Sequence, residues 1–85
     1  MTATAKTHGI TSLYAAAAIR AAGGRYIGAE PIGAGRVNFL FADPDEQIAQ
    51  LERRYYRHDL PPVQPAEYVT QFMRLRDDLR TVRGR

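Results

Sequence analysis

The chain has 85 residues, of which 45% are apolar, and its net charge is +3 because twelve basic residues outnumber nine acids. A chain of this length supports one small hydrophobic core, which excludes two independently folded domains. There is no cysteine, which excludes disulfides and thiol nucleophiles, and no apolar run approaches the roughly twenty residues of a membrane-spanning helix. We therefore expect a cytoplasmic protein that does not enter a membrane.

The first residues carry no periodic apolar pattern and predict an N-terminal tail, residues 1–8, ahead of a single domain, residues 9–85. Ser12, or the threonine before it, can cap an alanine-rich helix that runs to about Ala22. The pair Gly23-Gly24 then ends this helix, because glycine readily adopts the left-handed conformation found after a helix C-terminus.

Two strands are predicted next, over residues 25–30 and 36–42, with a turn over Pro31–Gly35 between them. Apolar residues alternate along the second strand at Val37, Phe39 and Phe41. A two-stranded hairpin is marginally stable in water, so we expect the helices to cover this apolar face.

A second helix is predicted from the run Asp43-Pro44-Asp45-Glu46, which reads as an N-cap acid, a first-turn proline and two first-turn acids. It extends to about Arg57, and its buried stripe is Ile48, Leu51 and Tyr55. Carboxylates in such a run could also bind a cation. Because each acid already has a role at the helix terminus, we expect no metal site.

A third helix is predicted from Pro65 after an extended segment. Its apolar stripe follows a spacing of four and three residues: Tyr68, Phe72, Leu75, Leu79 and Val82. The predicted fold is thus a small α+β domain in the order helix-strand-strand-helix-helix, with a two-stranded antiparallel hairpin packed on the helices. Because many of the apolar residues are alanines, which bury little area each, a homo-oligomer or a larger assembly would add burial.

Three arginines, Arg76, Arg80 and Arg83, follow one another beside this apolar stripe. Arg76 and Arg83 have no carboxylate three or four positions away, and Arg76 with Arg80 forms a like-charge pair. Their charge is therefore free for an external anion. Two neighbouring acids, Asp77 and Asp78, are expected to form surface ion pairs with Arg74, and Asp77 also reaches Arg80.

The end of the second helix combines guanidinium and aromatic groups in the run Arg53-Arg54-Tyr55-Tyr56-Arg57-His58. Single-stranded nucleic acids are bound by such pairs of groups, since arginines contact phosphates and bases stack on aromatic rings. The alternative is that Tyr55 belongs to the core and the arginines only complement the helix dipole. Arg53, Arg57 and Tyr56 are the candidate ligands here.

Catalysis has little support in the residue content. Ser12 is the only serine and is assigned to a helix cap, while His8 and His58 are the only histidines. Gly33-Ala34-Gly35 lies between two strands, whereas a dinucleotide-binding turn joins a strand to a helix. We expect no enzymatic activity and no cofactor.

The pattern of the chain resembles a family: TSLYAA at residues 11–16, Gly23 before a strand, RVNFLF at residues 36–41 before an acid-capped helix, and a closing amphipathic helix. It is similar over about residues 7–82 to a short, uncharacterised bacterial domain found in phages, plasmids and other mobile elements. The resemblance implies a small single domain and a mobile-element setting, where DNA-associated accessory roles are common. It implies no functional residues.

The expected function is a small basic binding module that contacts nucleic-acid backbone through Arg53, Arg57, Arg76, Arg80 and Arg83, with Tyr56 stacking on a base. Such binding is salt-sensitive and weakly sequence-specific. The alternative is a structural or protein-interaction subunit of a phage particle or a multi-protein complex, in which the arginines bind an acidic protein surface.

Overall fold

A computed structural model of the chain describes residues 6–84, which form three strands and three helices in the order β-α-β-β-α-α. The elements are β1 (Thr7–Ile10), α1 (Leu13–Ala21), β2 (Tyr26–Gly33), β3 (Arg36–Ala42), α2 (Gln47–Tyr56) and α3 (Pro65–Arg83). The α+β class is confirmed. The predicted order helix-strand-strand-helix-helix is wrong, because a strand precedes the first helix and the sheet has three strands rather than two.

The additional strand, β1, pairs antiparallel with β3, so the strand order is β1-β3-β2 and β3 lies in the centre. Thr7 and His8, which were predicted to end the tail, are paired with Ala42 and Phe41. A strand of only four residues with a central glycine has too little side-chain pattern to be recognised, and it is held mainly by backbone pairing. The rest of the predicted tail, residues 1–5, lies outside the described residues.

The first helix connects β1 to β2, which run parallel to each other on opposite sides of β3. Ser12 caps α1 as predicted, since its Oγ accepts a hydrogen bond from the amide of Ala15 at 3.2 Å. The helix ends before Gly23, whose φ of 104° suits glycine. Its alanines are fully buried from Ala15 to Ala17, so α1 packs closely against its neighbours.

The hairpin turn is shorter than the predicted turn over Pro31–Gly35. β2 continues through Gly33, and Ala34 and Gly35 alone connect the strands. Both turn residues have positive φ, as the two-residue type I′ turn requires. Pro31 is compatible with β2 because this is an edge strand, where a missing backbone donor is tolerated.

The second helix begins at Gln47, three residues later than Pro44, its predicted first residue. The chain first turns over Pro44 and Asp45, and Glu46 takes a left-handed conformation with φ of 60°. Asp43 still caps the helix from this greater distance: its two carboxylate oxygens accept hydrogen bonds from the amides of Ile48 at 2.8 Å and Ala49 at 3.2 Å. The predicted capping role is correct, and the predicted position is wrong.

All three helices cover one face of the sheet, and α1 lies between α2 and α3 as the element on which both pack. Buried side chains from β1, β3 and every helix form one core: Ile10, Ala15, Ala16, Ala17, Ile19, Val37, Phe39, Phe41, Ile48, Leu75 and Val82. On the α3 side, the hydroxyl of Tyr26 donates to Asp78 at 2.7 Å, and the Arg20 guanidinium lies 4.6 Å from the centre of the Tyr26 ring. None of the described helices has the length and apolar character that crossing a membrane requires.

Candidate functional site

One flank of α3 carries both apolar and basic side chains at the surface. These residues, which we call the α3 flank, are Val69, Met73, Arg76, Arg80 and Arg83. Their spacing of four and three residues places them on one side of the helix, about a quarter turn from the buried apolar stripe. The N-terminal half of the flank is therefore apolar and exposed, and the C-terminal half is basic.

Arg83, the last of the three arginines, is tied to the hairpin. Its Nε donates a hydrogen bond to the backbone oxygen of Gly35 at 2.8 Å. This contact holds the side chain across the end of the sheet while the residue remains exposed. Because guanidinium has five N–H donors, most of its donors stay available for an anion.

Arg76, at the start of the basic half, is only partly exposed. Its Nε is buried and has no hydrogen-bond partner among the described residues. A buried donor without an acceptor destabilises the folded state. Arg80, one turn further on, is exposed.

The ion pairs within residues 6–84 do not involve α3. They are Lys6 with Glu46, Arg54 with Asp59, and Arg57 with Asp59, while His8 and Glu52 are joined by a hydrogen bond. The expected pairs of Asp77 and Asp78 with Arg74 and Arg80 do not form, and Asp78 instead accepts a hydrogen bond from the hydroxyl of Tyr26. Within the described part of the chain, the α3 arginines are consequently not neutralised by carboxylates.

The predicted residues of α2 divide into two groups. Arg57 lies 3.4 Å from Asp59, which also pairs with Arg54, so its charge is partly compensated. Arg53 is exposed and makes no ion pair within residues 6–84. Tyr56 is 57% exposed and lies edge-to-face against Tyr55, with ring centres 5.2 Å apart. Arg53 and Tyr56 are one turn apart on the outer side of the helix.

Two groups of aromatic rings lie on the three helices, and we call them together the aromatic row: Tyr14, Phe72 and Tyr68 in one group, and Tyr55 and Tyr56 in the other. The ring centres of Tyr14 and Phe72 are 5.4 Å apart, and those of Phe72 and Tyr68 are 6.2 Å apart. Burial raises the pKa of Tyr68, and the nearby phenols of Tyr55 and Tyr14 raise it further. The ring contacts thus join the start of α1 to the N-terminal half of α3, and the phenol of Tyr55, at the C-terminal end of α2, is close enough to Tyr68 to affect its pKa.

Tyr14 is the residue that the sequence analysis missed. It is 61% exposed, although it lies in a helix whose next five residues are buried. The available signal was a single aromatic residue in an alanine-rich helix. Its position over Phe72 depends on how α1 packs on α3, which no local pattern encodes.

The two predicted arginine groups lie on helices that are separated by α1. Arg53 and Tyr56 lie at the α2 end of the aromatic row. Arg76 is one turn beyond Phe72 on α3, and Arg80 and Arg83 continue away from it. We call the aromatic row together with Arg76, Arg80 and Arg83, which follow Phe72 along α3, the track.

A cleft of about 340 Å³ lies elsewhere, between the Gly23-Gly24 loop and the start of α2. Its buried carboxylate, Asp43, is already engaged in capping α2. Residues 6–84 contain no group of three or more histidine, aspartate or glutamate side chains suited to hold a metal ion. The exposed arginines of α3 and α2 and the aromatic row beside them are therefore the candidate site. No protein-family model, curated protein or solved structure is significantly similar to this chain.

Proposed function

We propose that the protein is a non-enzymatic module that binds the phosphate backbone of nucleic acid through Arg76, Arg80 and Arg83. The observation that carries this proposal is the run of three arginines along one exposed flank of α3, none of which is ion-paired within residues 6–84. Guanidinium groups bind phosphate oxygens through paired N–H donors and keep their charge at any physiological pH.

The spacing of the arginines suits a repeating anion. Arg76 and Arg83 are separated by seven residues, which corresponds to about 10 Å along a helix axis. Because neighbouring phosphates of one strand rise by only about 3.4 Å along a duplex axis, this length can meet several of them. Contacts of this type position a protein without reading sequence, so binding is expected to be weakly specific.

Of the α2 residues, Arg53 supports the same function, because it is exposed and has no carboxylate partner among the described residues. Arg57 is a weaker ligand, since a phosphate must compete with Asp59 for it. Tyr56 offers an exposed ring one turn from Arg53. An accessory role in a phage or mobile element, in the cytoplasm of the host, belongs to this proposal.

The alternative is a structural or interaction subunit whose arginines bind an acidic protein surface. It is favoured by Val69 and Met73, which are 56% and 42% exposed on the same flank as the arginines. Protein interfaces commonly combine methionine and arginine in this way. The outer edges of β1 and β2, which pair with no other strand among residues 6–84, could join copies of the chain into an oligomer.

The test is an anisotropy titration with a labelled DNA of about 20 nucleotides, single-stranded and as a duplex, at low salt. The variant Arg76→Gln/Arg80→Gln is compared with Arg25→Gln/Arg74→Gln, which removes the same charge at exposed positions off the α3 flank. We expect the first variant to bind at least about fivefold more weakly than the second. Equal affinities of the two variants would contradict the proposal.

A polyglutamate of matched length separates the two functions in the same assay. Backbone binding predicts that the wild-type protein prefers DNA to polyglutamate, because phosphates match the guanidinium fork and release condensed counterions. Binding to polyglutamate with no binding to either DNA would favour the interaction subunit.

A further inference from the structure

The aromatic row has two exposed rings, and neither is explained by the core. Tyr14 and Tyr56 are 61% and 57% exposed, whereas the other three rings of the row, Tyr55, Tyr68 and Phe72, are partly buried against the core. A single exposed tyrosine is common on protein surfaces and needs no explanation. Here each of the two lies against a partly buried ring, Tyr14 against Phe72 and Tyr56 against Tyr55.

The rings are held in place by one another. Tyr14 lies over Phe72 at a tilt of 36°, and Tyr56 lies against Tyr55 at 81°. Contacts of both kinds are favourable beyond the area that they bury. Because each exposed ring is supported by a partly buried ring on a helix, it presents a preordered flat surface, which reduces the entropy lost on binding.

Positive charge lies beside Tyr56 and beside Phe72, the ring that supports Tyr14. Arg53 lies one turn from Tyr56 on α2, and Arg76 lies one turn from Phe72 on α3. Neither arginine is ion-paired within residues 6–84. A flat aromatic surface flanked by uncompensated guanidinium groups is complementary to a ligand with flat rings and repeated negative charge.

We propose that the aromatic row binds the bases of a single-stranded nucleic acid, with Tyr14 and Tyr56 as the stacking surfaces and Arg53 and Arg76 on the adjoining phosphates. This inference rests on the proposed function and deepens it, because it names the class of nucleic acid. In a duplex the base faces are covered by their neighbours, whereas a single strand exposes them to aromatic side chains.

The track has room for a short strand. Phe72 and Arg83 are eleven residues apart, about 16 Å along the helix, which is the rise of about five nucleotides of a stacked strand at roughly 3.4 Å each, and an unstacked strand covers it with fewer. An oligonucleotide of about 20 nucleotides therefore exceeds the site and is a suitable probe.

The experiment compares oligothymidylate of about 20 nucleotides with an abasic strand that has the same number of phosphates. Wild-type protein is expected to bind the thymidylate strand about fivefold or more tightly, since one stacked base is worth that factor or more. The variant Tyr14→Leu/Tyr56→Leu is expected to bind both strands with the affinity that wild type has for the abasic strand. Tyr14→Phe/Tyr56→Phe, which keeps both rings, should retain the wild-type preference.

Ile27→Ala is the matched control, because Ile27 is 54% exposed and lies on β2, away from the row. Circular dichroism melting of every variant verifies that the fold is intact. A second readout is tyrosine emission, which is observable because the chain has no tryptophan and four of its five tyrosines lie in the row. Thymidylate is expected to quench this emission, and the abasic strand is not.

The outcomes separate the two proposals. Equal affinity of wild type for the thymidylate and abasic strands would overturn the stacking inference and leave backbone binding intact. A thymidylate preference that survives in Tyr14→Leu/Tyr56→Leu would also overturn it. Absence of binding to both strands at low salt would overturn the proposed function, and the stacking inference with it.

Discussion

At the scale of single residues, Arg76 links stability to function. Its Nε is buried without an acceptor among the described residues, and Arg80 follows it one turn later with the same charge. Both features destabilise the folded domain. A residue that is present for a ligand is expected to carry such a penalty, whereas a residue that is present for packing is not.

We predict that Arg76→Met raises the free energy of unfolding by about 0.5–1 kcal/mol, because it removes the unsatisfied donor and one of two like charges. Methionine retains the length and the helix preference of the side chain. The same variant should bind oligothymidylate more weakly. Urea unfolding and the anisotropy titration measure the two effects, and a loss of more than about 1 kcal/mol would show that Arg76 is structural.

Tyr26 makes the stability sensitive to alkaline pH. Burial raises the pKa of its phenol well above the ordinary value, and the hydrogen bond to Asp78 and the charge of that carboxylate raise it further, while Arg20 lowers it. The folded state therefore keeps this proton at a pH where the unfolded chain, with a pKa of about 10, has released it. Stability is then fully present below pH of about 10 and falls as the pH rises above it.

We predict that Tyr26→Phe makes unfolding less dependent on alkaline pH. The variant loses the bond to Asp78, which costs about 1–2 kcal/mol near neutral pH. Between about pH 8 and about pH 11 it should then lose less stability than wild type, although Tyr68 still contributes. Urea unfolding at the two pH values measures this. An identical decline in both proteins would contradict the role assigned to Tyr26.

At the scale of elements, the sequence predicted what local chemistry determines. The Ser12 cap and the glycines after Ala22 bounded α1, and Pro65 with the apolar stripe bounded α3. β1 was not predictable in this way, because four residues with one buried side chain contain almost no pattern. β1 joins the sheet because β2 leaves one edge of β3 unpaired, and this edge exists only once the hairpin has formed.

The Asp43 cap of α2 is expected to contribute measurably to the free energy of unfolding. Asp43 is 4% exposed and bonds to the amides of both Ile48 and Ala49. Asp43→Ala leaves both donors unsatisfied and should lower the free energy of unfolding by about 1–2 kcal/mol. Asp45→Ala, at an exposed position of the same turn, is the control. Urea unfolding that does not distinguish the two variants would contradict the cap.

The candidate site was predictable to a similar extent. Arg76, Arg80 and Arg83 share a flank because the helical period alone determines it. The pairing of Arg57 with Asp59 was not predicted, since it forms where the chain leaves α2. Tyr14 could not be placed, because its contact with Phe72 joins two helices that are far apart in sequence.

At the scale of the whole molecule, the fold is a flat body of 37 × 35 × 20 Å with its helices on one face of the sheet. Placing α3 on the β2 side of α1 leaves a long helix flank open to solvent. A net charge of +3 is modest, so long-range attraction alone would give weak binding. The proposed affinity for nucleic acid depends instead on where the arginines lie, because three of them lie together on α3 and outside the ion pairs of the described chain.

The most direct test is the salt dependence of binding to oligothymidylate, measured between about 50 and about 200 mM salt for wild type and Arg76→Gln/Arg80→Gln. Three phosphate contacts predict a slope of log K against log salt of about −2 or steeper for wild type. Arg76→Gln/Arg80→Gln removes two of these contacts and should reduce the magnitude of the slope by about 1.4. A flat dependence for wild type, or equal slopes for the two proteins, would contradict backbone recognition by the α3 arginines.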